Sequence, residues 1–504
     1  MNSRIILHPF VLALVSLPWL AHAAVTVTSK SISFADNDSP TTLTADFNND
    51  GREDLVSMTL NQAGGQFSLR LSTGAGTYGS PVVYDLPGFT TEFPSPLYAL
   101  AIGDFNNDGF ADIAVSSALP GNGTPTWVVY IYTNNGRGAL TLSTTIPLPV
   151  TAGATAFTAG DFNHDRLIDL AYVSNGQLHI LFGNGKNGFT TGPVTGTTNA
   201  GEPLMLGDFD GDGNADLAYA EYVANNTNAT VLYGDGTGHF IPKTVVSPEA
   251  VVYSSGDVNS DGRTDLLGTP QFKNYVRVFY GNTERTFANT TKISFNQCLD
   301  RTPTLTDMDG NGLKDILTVE RNCSDTTSGY DADYYVGVRT RNANSSYNAE
   351  QTLFHSKSNQ YLGSITFGPV VMRLNQDTKP DFAFGLCKDS ECLGTTMMLD
   401  LNTTSGSFPA CTAPNGFEGI HVCSPANGAA SPVPFHIGAA GQTEMRKVEV
   451  WVDGEKKVEQ LDGFSHYSFL DKKIDMTPGS HKVSIFAAGV DNLVEQKTYT
   501  LTVP

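Results

Sequence analysis

The stretch Gly207-Asp208-Phe209-Asp210-Gly211-Asp212-Gly213-Asn214-Ala215-Asp216-Leu217 constrains this chain more than any other. Counted from Asp208, carboxylates fall at positions 1, 3, 5 and 9, and glycine stands at 6. Short apolar runs flank it, Leu204–Leu206 before and Leu217–Ala220 after, so the predicted unit is strand, tight acidic loop, strand. The loop recurs as Asp46, Asn48, Asp50 with Asp54, and as Asp104, Asn106, Asp108 with Asp112. Further copies are Asp161, Asn163, Asp165 with Asp169, then Asp257, Asn259, Asp261 with Asp265, and Asp307, Asp309, Asn311 with Asp315. A seventh copy is worn, with Arg373 at position 1, Thr378 at position 6 and Asp381 at position 9. The starts lie 58, 57, 47, 49, 50 and 66 residues apart, so the chain is a repeat protein.

The donor set suits a hard cation. Calcium takes six to eight oxygens at about 2.3–2.6 Å with little angular demand. Short Asp and Asn side chains at alternate positions turn their oxygens inward, and glycine at 6 permits the positive φ of a tight curl. Position 7 offers a main-chain carbonyl, from Arg52, Phe110, Leu167, Asn214, Arg263 or Leu313. Positions 1, 3, 5 and 6 match the opening of an EF-hand loop, but position 12, where an EF-hand has Glu, is Tyr219, and Asp216 closes the ring early. The expectation is about six calcium ions, bound at positions 1, 3, 5, 7 and 9 and coupled to folding. The plainer alternative is an Asx-turn, in which Asp and Asn only cap backbone N–H groups. In the third loop Arg166 replaces the glycine, at a cost of about 1 kcal/mol if φ stays positive. In the seventh, Arg373 is expected to pair with Asp377 or Asp381 and leave the site without metal.

Residues 1–23 read as a secretory signal, with Arg4, an apolar stretch from Ile5 to Leu20, and Ala21-His22-Ala23 at the cleavage site. No later run approaches the roughly 18 apolar residues of a membrane span. From 24 to 410, short apolar or alternating segments are divided by Gly, Asn, Thr and Pro, and helical periodicity is absent. Each period of about 50 residues holds about four strands, and seven such units suggest an all-β, seven-bladed β-propeller. The last period lacks a fourth strand, whereas Val25–Phe34 alternates well, so that segment is expected to clasp the final blade.

The pattern apolar-Gly-Asp-Phe/Val-Asn-x-Asp-Gly-x-x-Asp-Leu/Ile-Ala resembles the FG-GAP/VCBS repeat, found also in the N-terminal propeller of integrin α-subunits. The resemblance covers roughly residues 30–410. It implies a seven-bladed propeller with calcium loops between the first two strands of each blade, and it names no ligand. The worn seventh loop departs from the pattern, and no inserted metal-ion-dependent adhesion domain is seen.

Six cysteines, an even count in a chain expected to be exported, suggest disulfides, with neighbour pairing giving Cys298–Cys323, Cys387–Cys392 and Cys411–Cys423. Residues 411–434 read as a Pro/Gly/Cys linker, and 435–504 as a small Ig-like β-sandwich with a hairpin at Asp453-Gly454. Trp451 alternates with the apolar residues of its strand and is expected to pack beneath the linker; the alternative is an exposed ligand platform.

A net charge of −21, with no basic stripe, argues against nucleic acid. No nucleophile elbow, His-Glu-x-x-His, P-loop or Rossmann fingerprint occurs, and the loops account for most paired carboxylates. The sequence therefore reads as an exported or cell-surface, calcium-binding, non-enzymatic binding or adhesion module. Its expected form is a monomer whose ligand is an extracellular protein or glycan. The alternatives are a carbohydrate-active enzyme resembling propeller polysaccharide lyases, and a passive envelope scaffold.

Overall fold

The computed structural model describes most of residues 24–503. The expected leader, 1–23, lies outside the described residues, as do several segments, the longest being 34–41, 88–98, 324–331, 406–419, 425–434 and 461–468. Every regular element described is a β-strand, and no helix is long and apolar enough to cross a membrane.

Among the described residues, the chain from 27 to 402 forms seven larger antiparallel sheets in succession, with a small two-stranded one, Ser72–Gly74 with Thr77–Tyr78, inserted in the first. They span 42–85, 100–147, 156–196, 200–247, 251–294, 298–357 and 365–402, and are called blades one to seven below. Each is a four-stranded meander apart from the sixth, whose inner position is split between Cys298–Leu299 and Thr304–Thr306, both paired with Asp315–Arg321. The seventh has three strands of its own, Ile365–Met372, Asp381–Cys387 and Thr395–Asn402. Its fourth is Val27–Ser33, which pairs along its whole length with Thr395–Asn402, from Val27 opposite Asn402 to Ser33 opposite Thr396. The clasp expected from residues 25–34 is thus present, and it covers the edge of Thr395–Asn402.

The core is divided in the same way. Seven apolar clusters lie between successive blades, and the last joins Leu55 of blade one to Met372, Met397, Leu399 and Leu401 of blade seven, closing a propeller-like ring. The two-residue period of a strand explains the sharing. Ile113 and Val115 of Asp112–Leu119 face blade one, while Ala114 faces blade three. Such strands are buried on both faces and read as continuous apolar runs, whereas the outer strand Leu140–Pro147 alternates between exposed and half-buried residues.

The C-terminal part holds two further antiparallel sheets, a three-stranded one and a four-stranded one. Asp453 and Gly454 both take positive φ, 52° and 84°, and form the predicted two-residue hairpin. Val448, Val450, Val452, Val483, Ile485, Leu501 and Val503 make the core, joined by Ile474 from the other sheet. The linker boundary needs correction. Ile420–Ser424, inside the expected linker 411–434, is a strand paired with Phe435–Gly441 and belongs to this unit. The Gly, Pro and Ser around it concealed its short apolar alternation. Trp451 is half-buried against its own sheet, donating from Nε1 to Glu449 (2.7 Å) and meeting Phe486 edge-on.

Of the predicted disulfides, Cys298–Cys323 is formed, with Cα atoms 4.9 Å apart. Cys387 is disulfide-bonded, but its expected partner Cys392 lies outside the described residues, as does Cys411 of the third predicted pair.

Candidate metal centres

Each acidic loop joins the first two strands of its blade, as the repeat predicts. Position 9, the first residue of the outgoing strand, is wholly buried in all seven copies: Asp54, Asp112, Asp169, Asp216, Asp265, Asp315 and Asp381. Each of these carboxylates accepts two backbone hydrogen bonds. Oδ2 takes the N–H of position 2 in its own loop, from Phe47, Phe105, Phe162, Phe209, Val258, Met308 or Leu374, at 2.8–3.1 Å. Oδ1 takes the N–H at or just beyond the end of the third strand, from Ser72, Asn134, Gly183, Gly234, Gly281, Arg341 or Asn402, at 2.7–2.9 Å. The aspartate therefore brackets loop, second strand and third strand together.

The position 2 residue also reaches outward. Its carbonyl accepts from the next blade: Phe47 O from Gly138 N, Phe105 O from Asn187 N, Phe162 O from Gly238 N, and Leu374 O from Gly76 N. Elsewhere a side chain makes the bond, with Arg341 Nη1 donating to Val258 O and Asn402 Nδ2 to Met308 O; Asn134 Nδ2 adds a second bond to Phe47 O. This latch between blades was not legible from the loop pattern. Its signal lay in the large apolar residue at position 2 and in the residue that follows the third strand.

Within the loops, position 1 curls the backbone around itself. Asp208 accepts from Gly211, Asp212 and Gly213, and Asp104 from Asp108 and Gly109. At position 3, Asn48, Asn106, Asn163 and Asn259 each accept the position 5 N–H and donate to the position 5 carboxylate. Position 5 (Asp50, Asp108, Asp165, Asp212, Asp261 and Asn311) accepts the N–H of Arg52, Phe110, Leu167, Asn214, Arg263 and Leu313. The Arg52 and Arg263 side chains, at position 7, pair with Asp50 and Asp261 of their own loops, at 2.7 and 3.1 Å. These are the bonds of the Asx-turn reading, and among the described residues three carboxylates converge only in the fourth and sixth loops. Positive φ occurs at position 6 in Gly109, Arg166 and Gly213, and also at position 4 in Asn49, Asn107, His164, Gly211 and Gly310. The recurrence of Asn, His and Gly at position 4 was the available sign of that second turn. His164 also meets Asn214 of the fourth loop at 2.9 Å.

Whether the loops suit a cation can be judged where position 3 is Asp. In the fourth loop, oxygens of Asp208, Asp210 and Asp216 lie within 4.8 Å of one another, and in the sixth so do those of Asp307, Asp309 and Asp315. Burial, followed by the neighbouring loop aspartates, pushes Asp54, Asp112, Asp216 and Asp265 up to about 8, against the lowering effect of their backbone bonds. Asp169 is raised to about 7 and Asp208 to about 6 for the same leading cause. A divalent ion among these oxygens reverses that electrostatic balance, so the residues fit the group. In the seventh loop Arg373 is buried and its carbonyl accepts from Glu53, while Asp377 lies outside the described residues.

Comparison with known families matches the FG-GAP-like repeat at residues 46–115, 117–172, 161–219 and 257–318, spans that contain the first six loops. The chain carries FG-GAP-like repeats. No curated protein matches it. Among solved structures it is similar to an Agrocybe aegerita lectin specific for non-reducing terminal N-acetylglucosamine, at 16% identity, with 64% of this chain and 86% of the lectin covered and a TM-score of 0.43. It is also similar to the exo-β-1,3-galactanase of Phanerochaete chrysosporium, at 12% identity, with 94% and 99% covered and a TM-score of 0.33. At these scores neither likeness bears on what the chain does.

Proposed function

We propose that this FG-GAP protein is an exported, calcium-stabilised binding module at or outside the cell surface, taking a protein or glycan on the loops of its blades. The observation that carries the reading is the convergence of carboxylates at positions 1, 3 and 9 of the fourth and sixth loops. Calcium there would be held by those side chains, with positions 5 and 7 completing the set, and would stiffen the hairpins that seat one blade against the next. The Cys298–Cys323 disulfide supports an oxidising location. A binding role is favoured over catalysis because the loop carboxylates are engaged by backbone N–H groups, an arrangement suited to rigidity rather than proton transfer. We read the two C-terminal sheets as an appended Ig-like module.

Incubating the mature protein with a polysaccharide panel in calcium, and scoring both retention and released sugar, tests this reading. Retention without release is the expected result, and release of sugar would overturn it. Calcium is tested separately, by melting in calcium and in chelator; equal curves would remove the metal from the account.

A further inference from the structure

The fourth loop is the most acidic of the repeats, with Asp at positions 1, 3, 5 and 9. Its junction with blade five also differs from its neighbours. In blades two, three and four, the residue four beyond the N–H donor to position 9 (Asn134, Gly183 or Gly234) is Gly138, Asn187 or Gly238, with φ of 75°, 62° and 81°. Each donates its N–H to the position 2 carbonyl of the preceding loop, at 2.9, 3.1 and 2.8 Å. Arg285 holds the same place in blade five, with φ of 59°, but its N–H donates to Asn282 O within its own turn, at 3.0 Å. The side chain crosses the junction instead. Arg285 Nε lies 2.6 Å from Asp210 Oδ2, and its Nη2 lies 3.4 Å from Asp212 Oδ2. The guanidinium rests 4.6 Å from the ring centroid of Tyr233, and Asp210 is only 4% exposed.

We propose that Arg285 is a tethered cation for the fourth loop, occupying its acidic mouth in competition with a divalent metal and latching blade four to blade five without one. The guanidinium satisfies two carboxylates at positions 3 and 5, and its stacking on Tyr233 fixes the fork that reaches them. The loop with the most carboxylates is therefore one that a guanidinium can fasten without calcium. The competition half rests on the calcium reading of the loops, whereas the latch half does not.

The two halves are tested separately on the full mature chain. In chelator, denaturation of wild type, Asp210→Asn, Arg285→Gln and the double variant measures the coupling between the two side chains. A coupling of about fivefold or more in the unfolding constant is expected, whereas additive effects overturn the latch. Calcium titration of wild type and Arg285→Gln then tests competition. The variant is expected to bind calcium at least about tenfold more tightly at one site, a gain that Asp208→Asn abolishes in the Arg285→Gln background. Unchanged isotherms overturn the competition while leaving the latch to the coupling result. Absence of calcium binding at every loop overturns both the competition and the proposed metal role, and the coupling still decides the latch.

Discussion

Replacing Asp381 separates the scaffolding role of position 9 from any metal role. The seventh loop has no carboxylate at position 1, yet Asp381 is wholly buried and accepts from Leu374 N at 2.9 Å and Asn402 N at 2.8 Å. Asp381→Ala leaves two N–H donors without their acceptor in a site closed to water, and each buried donor so stranded costs about 1–3 kcal/mol. The expected loss is about 2–6 kcal/mol. Asp381→Asn keeps one acceptor oxygen but turns an amide N–H₂ toward a backbone donor, so about 1–3 kcal/mol is expected. Urea denaturation followed by tryptophan and far-ultraviolet signals gives both values, measured in calcium and again in chelator. The two conditions should agree for Asp381, because the loop that carries it lacks the metal-binding set. For Asp112→Asn the loss should be larger in calcium, where bracket and ligand are removed together. A loss below about 1 kcal/mol for Asp381→Ala would refute the bracket as a stabilising element.

The remaining predictions bear on other parts of the ring. Deleting residues 25–34 removes the strand that pairs from Val27 to Ser33 and exposes the edge of Thr395–Asn402; the truncated chain should lose its cooperative melt, and a normal melting curve would rule out the clasp as a stabilising element. Arg166→Gly should raise stability by about 0.5–1 kcal/mol, since φ at this position is 69°, measured as a shift in the denaturation midpoint. Glu320 is wholly buried, accepts from Thr318 and Gln297, and converges with Glu350 on Gly337. Burial first, and then the Glu350 charge, raise it from its ordinary 4.5 to about 8. The folded chain thus holds a proton that the unfolded chain releases, and stability falls as pH rises from about 4.5 to about 8. Glu320→Gln should flatten that decline, seen as a higher melting temperature than wild type at pH 9 and little difference at pH 4.

The ring was legible in the sequence because its signal is redundant. Six intact loops at near-constant spacing marked the chain as a repeated all-β unit, and the missing fourth strand of the last period pointed to Val25–Phe34. The split strand of blade six and the strand Ile420–Ser424 were hidden for the opposite reason, each being short and interrupted by turn-forming residues. At the loops, the pattern of acidic positions marked what points inward, but it says nothing of what the backbone at position 2 bonds to. That partner lies in the next blade, some 90 residues away for Asn134 and Phe47, at a separation no local pattern encodes. Arg285 was missed likewise. Its turn reads Gly281-Asn282-Thr283-Glu284-Arg285, and only the fold places it over Asp210, 75 residues earlier.

The seventh loop shows which duty of the motif the ring cannot lose. Position 1 has become Arg373 and position 6 Thr378, so the loop has lost its first carboxylate and its turn glycine. Asp381 nevertheless keeps both of its backbone bonds, and Leu374 O still accepts from Gly76 N of blade one. This junction closes the ring, where clasp, cluster and latch meet. A metal ligand is needed only where metal binds, but every blade must be fastened to the next. Position 9 is therefore first a structural carboxylate, and its raised proton affinity in the other loops comes first from its burial, with the neighbouring loop aspartates adding to it. Arg285, Arg52 and Arg263 set guanidinium groups against the carboxylates of positions 3 and 5 around it. Guanidinium groups thus answer the loop carboxylates that surround a buried aspartate, which the fold retains for its hydrogen bonds.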